Sequence, residues 1–332
     1  MMKKAIIIHG TEGYPEENWF PWLKKELEQR DYKVSVPQFP SPPGVLPKIS
    51  EWFEVLKDYE IDGDTLLIAH SLGGLFALRV LEKLDHPVKA AFFAGASVGV
   101  KPIKFYDGDL AFSGGFDFDW DKIRNNAGHF VVFHSDDDPY VSLANGEKLS
   151  EELGVKLNFV PNAGHFNATA GYTEFPDLLK TIIDKEYMDI AIELSKKAMY
   201  PYGSIIVKDG QIIGRSDANT PVSKTQFGHA EIIAIDDAME HLGGHLCAEG
   251  GQGVTIYSSC EPCAMCMGAI LYTGIERLVY GANLDDSKEC VNEILAKAED
   301  VANACTNRKI KITPEYERKQ AVKVLKHWRD NN

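Results

Sequence analysis

The chain has 332 residues, with 35 Lys and Arg against 49 Asp and Glu, and a formal net charge of −14. That length is about twice that of a usual single domain, so two hydrophobic cores are expected, and the acidic balance speaks against an extended polyanion-binding surface. Hydrophobic residues at 44% and charged residues at 25% are the proportions of a soluble globular protein.

The opening Met1-Met2-Lys3-Lys4 and the apolar run behind it resemble a secretory leader, but that run ends too soon at His9-Gly10. No stretch approaches a membrane span, and a cytoplasmic protein is expected. Strands are predicted over 4–9, 65–69, 90–94, 129–134 and 155–160, with amphipathic helices between them such as 19–30 and 72–84. Alternating strands and helices predict a mostly parallel, doubly covered sheet. Near residue 184 the pattern restarts, so domains are expected at 1–184 and 185–332. A helix over 188–198 precedes apolar runs flanking Lys208-Asp209-Gly210, a hairpin signal because both central residues accept positive φ. A helix over 229–242, a strand over 254–258, a helix over 263–272 and a strand over 277–280 complete a second α/β domain.

In the first domain, Ala69-His70-Ser71-Leu72-Gly73-Gly74 stands where a strand turns into a helix. A nucleophilic serine needs such a turn, with small residues on either side to relieve crowding; here Ala69 replaces the usual glycine. Ser135-Asp136-Asp137-Asp138-Pro139 and Asn162-Ala163-Gly164-His165-Phe166 follow later strands. Ser71, an aspartate and His165 therefore come in the chain order of an α/β-hydrolase triad.

Together with His9-Gly10-Thr11, Trp19-Phe20-Pro21-Trp22, Asp137-Asp138-Pro139-Tyr140-Val141 and Ala163-Gly164-His165-Phe166, these residues resemble the retinoblastoma-binding-protein-type serine hydrolases up to about residue 184. The resemblance implies an α/β-hydrolase-like fold, selects Asp138 as the third triad member, and leaves Asp136 and Asp137 as solvated or capping residues. Backbone N–H groups of Leu72 and of the loop at Thr11 would then form the oxyanion hole. The acyl substrate is not specified, and a fold kept only for binding is the alternative.

The six cysteines, Cys247, Cys260, Cys263, Cys266, Cys290 and Cys305, all lie in the C-terminal half, which points to metal or thiol chemistry rather than a disulfide framework. Cys263 and Cys266 stand three apart at a predicted helix start, on one face, where the helix N-terminus favours thiolates. With the imidazole of His229 they would neutralise Zn2+ and leave a fourth position open, the mark of a catalytic site. Glu231, two residues from the histidine, is placed to move protons in a hydrolytic deamination. An iron–sulfur run lacks its fourth cysteine, since position 270 is Ile, and a structural zinc site with Cys260 as fourth ligand would leave Glu231 without a role. Cys247, Cys290, Cys305, His241 and His245 are read as packing or surface residues.

The pattern His229-Ala230-Glu231 followed by Pro262-Cys263-Ala264-Met265-Cys266 resembles the cytidine deaminase superfamily. The surrounding stretch, residues 258–270, is similar to bacterial guanine deaminases and shares its core with tRNA adenosine deaminases. This resemblance, over roughly 186–332, implies a three-layer α/β/α domain. It gives zinc to His229, Cys263 and Cys266, the proton shuttle to Glu231 and a base contact to Asn219. It also implies a homodimer or larger assembly.

The expected substrate is a free nucleobase or nucleoside, guanine-type first. Residues after 184 carry 17 basic against 21 acidic groups, and the stretch Gly281-Ala282-Asn283-Leu284-Asp285-Asp286 lacks the Arg-Asp and glycines typical of tRNA-modifying members. The same stretch also lacks the Gly-Phe pair of guanine deaminases. A tRNA adenosine deaminase, or a domain serving only to bind or regulate, stands as the alternative. The helical repeat of Ala321, Val322, Val324, Leu325 and Trp328 is read as a core face.

Overall fold

The computed structural model describes residues 2–244, 246, 253–290 and 294–332, so Cys247 and His245 lie outside the described residues. The chain divides into two compact units, Met1–Leu179 and Lys180–Asn332. The first runs β1 (Lys3–Ile8), α1 (Phe20–Glu28), β2 (Tyr32–Ser35), α2 (Ile49–Leu56), β3 (Thr65–His70), α3 (Leu72–Lys83), β4 (Ala90–Ala94), α4 (Tyr106–Ser113), α5 (Trp120–Asn125), β5 (Phe130–His134), α6 (Leu143–Leu153) and β6 (Leu157–Phe159). All six strands are parallel, in the order β2-β1-β3-β4-β5-β6.

Every residue of β3, β4 and β5 is buried, because helices cover both faces and no strand position is left for water. On one face Ile6, Ile8, Leu67, Phe93 and Val132 pack with Trp52 of α2, Leu75 and Phe76 of α3 and Leu149 of α6. The sheet order reverses beside β1, and the C-terminal ends of β3, β5 and β6 lead into the segments that carry Ser71, Asp138 and His165. In open α/β sheets that edge is where ligands bind.

The division between units falls within α7 (Pro176–Lys197). The second unit continues with β7 (Ser204–Lys208), β8 (Gln211–Arg215), α8 (Ala230–Leu242), β9 (Val254–Cys260), α9 (Ala264–Thr273), β10 (Arg277–Ala282), α10 (Leu284–Ser287), α11 (Ala298–Ala304), β11 (Lys311–Thr313) and α12 (Arg318–Asn331). Its sheet order is β11-β10-β9-β7-β8, with β7 antiparallel to both neighbours and the rest parallel. The β7–β8 turn is the expected hairpin, Asp209 and Gly210 having φ of 49° and 75°.

Two apolar clusters make this unit three-layered. Ile206, Ile256 and Leu278 face Ala234 and Ala238 of α8 and Met267 and Ile270 of α9. Ile205, Tyr257 and Val279 face Met188 and Ala191 of α7 and Ala321, Val324 and Leu325 of α12. The C-terminal helix is thus a core element on one face. Trp328, half-buried near its end, donates its indole N–H to the Met199 carbonyl at 3.0 Å. No helix among the described residues is long and apolar enough to cross a membrane.

Candidate active sites

Ser71 sits between the last residue of β3 and the first of α3, with φ 56° and ψ −125°, a conformation a non-glycine residue adopts only when its surroundings impose it. The turn thrusts its Oγ out of the sheet edge. The hydroxyl donates to His165 Nε2 at 2.8 Å, and His165 Nδ1–H donates to Asp138 Oδ2 at 2.6 Å. The other carboxylate oxygen of Asp138 accepts from the Tyr140 and Val141 amides at 2.8 and 3.0 Å, which fixes the acid before it meets the imidazole. The Asp138 side chain is wholly buried and that of His165 nearly so.

Two glycines make room for this constellation. A Cβ on Gly10 would stand 2.8 Å from Ser71 Cβ, and one on Gly95, whose φ is +60°, would stand 3.1 Å from His165 Nδ1. His9 anchors the loop beginning at Gly10: its Nε2 accepts from the Phe39 amide at 2.9 Å, so the proton is on Nδ1 and is donated to the Gly10 carbonyl at 2.8 Å. Leu72 is the first residue of α3, so its N–H lies outside the helical hydrogen-bond ladder. Thr11 follows Gly10 in the anchored loop.

The residues that hold His165 in place are less visible in the sequence. His70 donates from Nε2 to the His165 carbonyl at 2.7 Å, and the Trp19 indole donates to the Phe166 carbonyl at 3.0 Å. Full burial pushes the His70 imidazole down to about 3, so it is a neutral donor. Asp136 accepts from the Asn162 amide at 2.9 Å and Asp137 from the Gly164 amide at 2.7 Å. Both are exposed, as their reading from sequence as solvated or capping residues implies, and they also latch the loop that presents His165. Their contacts span 26 and 27 residues, beyond any local pattern.

In the second unit, two helix N-termini meet. His229 caps α8 and Cys263 caps α9, with Cys266 in the first turn of α9. Cys263 Sγ lies 3.7 Å from His229 Nδ1 and 3.7 Å from Cys266 Sγ, and the three donor atoms fall within 4.8 Å of one another. Tetrahedral zinc with its usual S and N distances needs donors about 3.3–3.8 Å apart; both separations from Cys263 meet this, and two thiols and one imidazole are a donor set suited to the ion. The Cys263 thiol is pushed down to about 4 by its hydrogen bond with Cys266.

Glu231, in the first turn of α8, is buried and accepts from the Ser258 hydroxyl at 2.7 Å. Burial raises its carboxyl above the usual range, with the Ser258 hydrogen bond working against that shift. A pocket beside these groups is lined by His229, Glu231 and Cys263 together with Tyr202, Cys260, Leu284 and Ser287. Asn219 is exposed, in the loop between β8 and the 3-10 turn Pro221–Lys224, and is not among the lining residues. Glu261, a buried carboxylate that sequence reasoning assigned no part, accepts from the amides of Leu284 at 3.1 Å and Ala298 at 2.8 Å, joining the chain after β9 to the starts of α10 and α11. Cys290 and Cys305 are partly exposed and unbridged.

Residues 5–183 match the family model described as serine hydrolase, and residues 181–282 match the cytidine and deoxycytidylate deaminase zinc-binding region. The Bacillus subtilis protein YdeN is 31% identical over 194 residues, covering 56% of this chain and 99% of YdeN. The crystal structure of the ydeN gene product superposes with a TM-score of 0.51 and 29% identity, over 55% of this chain and 98% of that one. The tRNA-specific adenosine deaminase of Bacillus subtilis is 36% identical over 103 residues, 30% of this chain and 62% of that enzyme. The guanine deaminase of the same organism is 38% identical over 89 residues, 27% of this chain and 54% of that enzyme.

Proposed function

Because the chain belongs to the serine hydrolase family through residues 5–183, we propose that it carries two hydrolytic activities: acyl hydrolysis at Ser71, and zinc-dependent deamination of a free nucleobase or nucleoside at Glu231. The hydrolase reading rests on the unbroken hydrogen-bond line from Ser71 through His165 to Asp138. As the Ser71 oxygen forms its bond to the acyl carbon, its proton passes to His165 Nε2; the same proton then goes to the leaving alcohol or amine. Asp138, held by two backbone amides, stabilises the imidazolium in between without taking the proton. The amides of Leu72 and Thr11 would face the oxygen on which charge develops. A water activated by His165 then releases the acid.

The deaminase reading rests on His229, Cys263 and Cys266 converging beside a buried carboxyl. Zinc held by those three would supply the positive charge that makes water acidic near neutral pH. With the ion in place, Glu231 would take one proton of the attacking water to a ring nitrogen and then carry the second, from the hydroxyl of the tetrahedral adduct, to the amine as its C–N bond breaks and ammonia leaves; the Ser258 hydroxyl fixes the rotamer of its carboxyl. Ser259-Cys260-Glu261-Pro262 and the acidic balance after residue 184 favour a free base or nucleoside, guanine-type first. A tRNA adenosine substrate is the second reading, carried by 36% identity to the tRNA-specific enzyme over a stretch longer than the guanine deaminase match.

A panel of free bases and nucleosides separates the two. Ammonia release from guanine or a related base, abolished in Glu231→Ala with zinc retained, supports the first. No turnover on that panel, beside efficient inosine formation in a tRNA anticodon stem, moves the assignment to the second.

A further inference from the structure

Among the described residues of the first unit, seven large hydrophobic side chains are exposed: Met2, Tyr14, Val45, Leu46, Phe105, Leu110 and Phe159. Five of the seven fall on three segments: the loop that meets Ser71, one tied to that loop, and one paired with the stretch after Asp138. Tyr14 is on the loop that starts at Gly10, against the serine. Val45 and Leu46, 59% and 65% exposed, follow a loop tied to that one, since the Glu12 amide donates to Ser41 Oγ at 2.6 Å and the Gly44 amide to Glu12 Oε1 at 2.9 Å.

Phe105 and Leu110 belong to the third segment. Its backbone pairs with the stretch just after the triad aspartate, Ile103 bridging Val141 and the Lys104 amide donating to the Tyr140 carbonyl at 2.8 Å. The far end is gripped by Arg79, whose guanidinium donates to the carbonyls of Ser113, Gly115 and Asp117 at 2.9–3.1 Å. Phe105 stacks on Tyr140 at 6.3 Å, and Tyr140 meets the His165 ring edge-on at 4.9 Å. A line of rings thus runs from the triad imidazole to a phenyl group that is 54% exposed. Leu46 closes in over the same segment, its Cδ2 3.0 Å from where a Cβ on Gly108 would stand.

Exposed apolar side chains scattered singly need no explanation, but a group of them on anchored segments around one reactive hydroxyl does. We propose that this rim takes the hydrocarbon chain of an acyl group whose carbonyl carbon lies at Ser71, so that the site prefers medium-chain acyl compounds to short ones. The inference rests on the serine hydrolase reading above. A chain leaving the carbonyl passes the Tyr140 ring and lies against Leu46 and the exposed part of Phe105, beside the Lys104 ammonium, which stands 4.8 Å from the Tyr140 centroid and 5.4 Å from that of Phe105. Each methylene covered on one side gains about half of full transfer, roughly a twofold rise in rate constant, so eight carbons should outrun four by roughly tenfold.

The full-length protein is treated with alkylphosphonofluoridates bearing butyl and octyl chains, and the rate of Ser71 modification is followed by mass spectrometry. In this reaction the Ser71 oxygen bonds to phosphorus, fluoride leaves and the serine proton passes to His165. The expected result is roughly tenfold faster labelling by the octyl compound, a ratio that falls severalfold in Leu46→Ser and in Phe105→Ser. Phe159→Ser, equally apolar and exposed but on the edge strand β6, leaves the ratio unchanged. Labelling at equal rates, or faster with butyl, overturns the chain-length proposal while the serine hydrolase reading stands. So do Leu46 and Phe105 variants that change the oligomeric state but not the ratio. No labelling of Ser71 by either compound overturns both.

Discussion

The two candidate sites are built on opposite principles. Ser71, His165 and Asp138 satisfy one another: each polar atom of the line has a partner in the protein, and the loops behind it are latched by Asp136, Asp137, His70 and Trp19. His229, Cys263 and Cys266 converge instead as three donors whose natural common partner is a cation. The first arrangement is complete when the chain folds, whereas the second gathers three donor atoms that could hold a metal ion. Their scaffolds differ to match. The triad is gathered from segments after three parallel strands, and the cation site from the starts of two helices, α8 and α9, whose N-termini favour thiolates.

If the sites are independent, damage to one should leave the other untouched. The largest effect expected is from Ser71→Ala, which should lower acyl hydrolysis by about a million-fold while ammonia release stays at the wild-type rate. A fall in both would mean that the comparison is drawn between parts of one site. Next is the choice among three consecutive aspartates. Asp138→Asn should cost about ten thousand-fold in kcat by spoiling the histidine tautomer, whereas Asp137→Asn, which only loosens the loop at Gly164, should cost about tenfold to a hundredfold. Equal losses would show that the latch and the triad acid cannot be told apart.

A different kind of effect, on stability and not on rate, belongs to the second unit. Asp184 is buried, accepts from Arg277 at 2.7 and 2.6 Å and from the Tyr257 hydroxyl at 2.8 Å, and pairs with Lys180 at 2.8 Å. Burial alone would raise its carboxyl, but Arg277 and Lys180 outweigh burial and hold it below the usual range. The folded value being the lower one, its contribution is fully present above the unfolded carboxylate pKa of about 3.9 and disappears as pH falls through the folded value. Asp184→Asn should therefore destabilise the second unit at neutral pH by about 3–5 kcal/mol and flatten its acid limb. Acid unfolding curves followed by a probe in that unit will show whether the limb moves.

Much of the framework can be read from residue order. Strands β3, β4 and β5 announce themselves because a parallel strand covered on both faces is a continuous apolar run. β2 escapes notice, since Tyr32-Lys33-Val34-Ser35 is a short edge strand, and so does β11, three partly exposed residues long. At the sites, Ser71, His165, His229 and Cys263 stand in local motifs, and the structure puts each beside its expected neighbours. The supporting groups carry no such local signal. Ser258 is one hydroxyl inside a strand, Glu261 a carboxylate whose amide partners lie 23 and 37 residues away, and both acquire meaning only when the chain folds back on them. Asn219, to which the family resemblance gives a base contact, is exposed in the loop after β8 and is not among the residues lining the pocket.

The claim that one site is complete in the folded chain and the other needs an ion is tested most directly by stripping metal from a single purified sample. Fluorophosphonate labelling of Ser71 and ammonia release are measured before treatment with a chelator, after it, and after zinc is returned. The expected result is one zinc per chain at the outset, loss of ammonia release on chelation with recovery on zinc addition, and unchanged labelling throughout. Ammonia release that survives complete removal of zinc, or labelling of Ser71 that falls and rises with the metal, would contradict it.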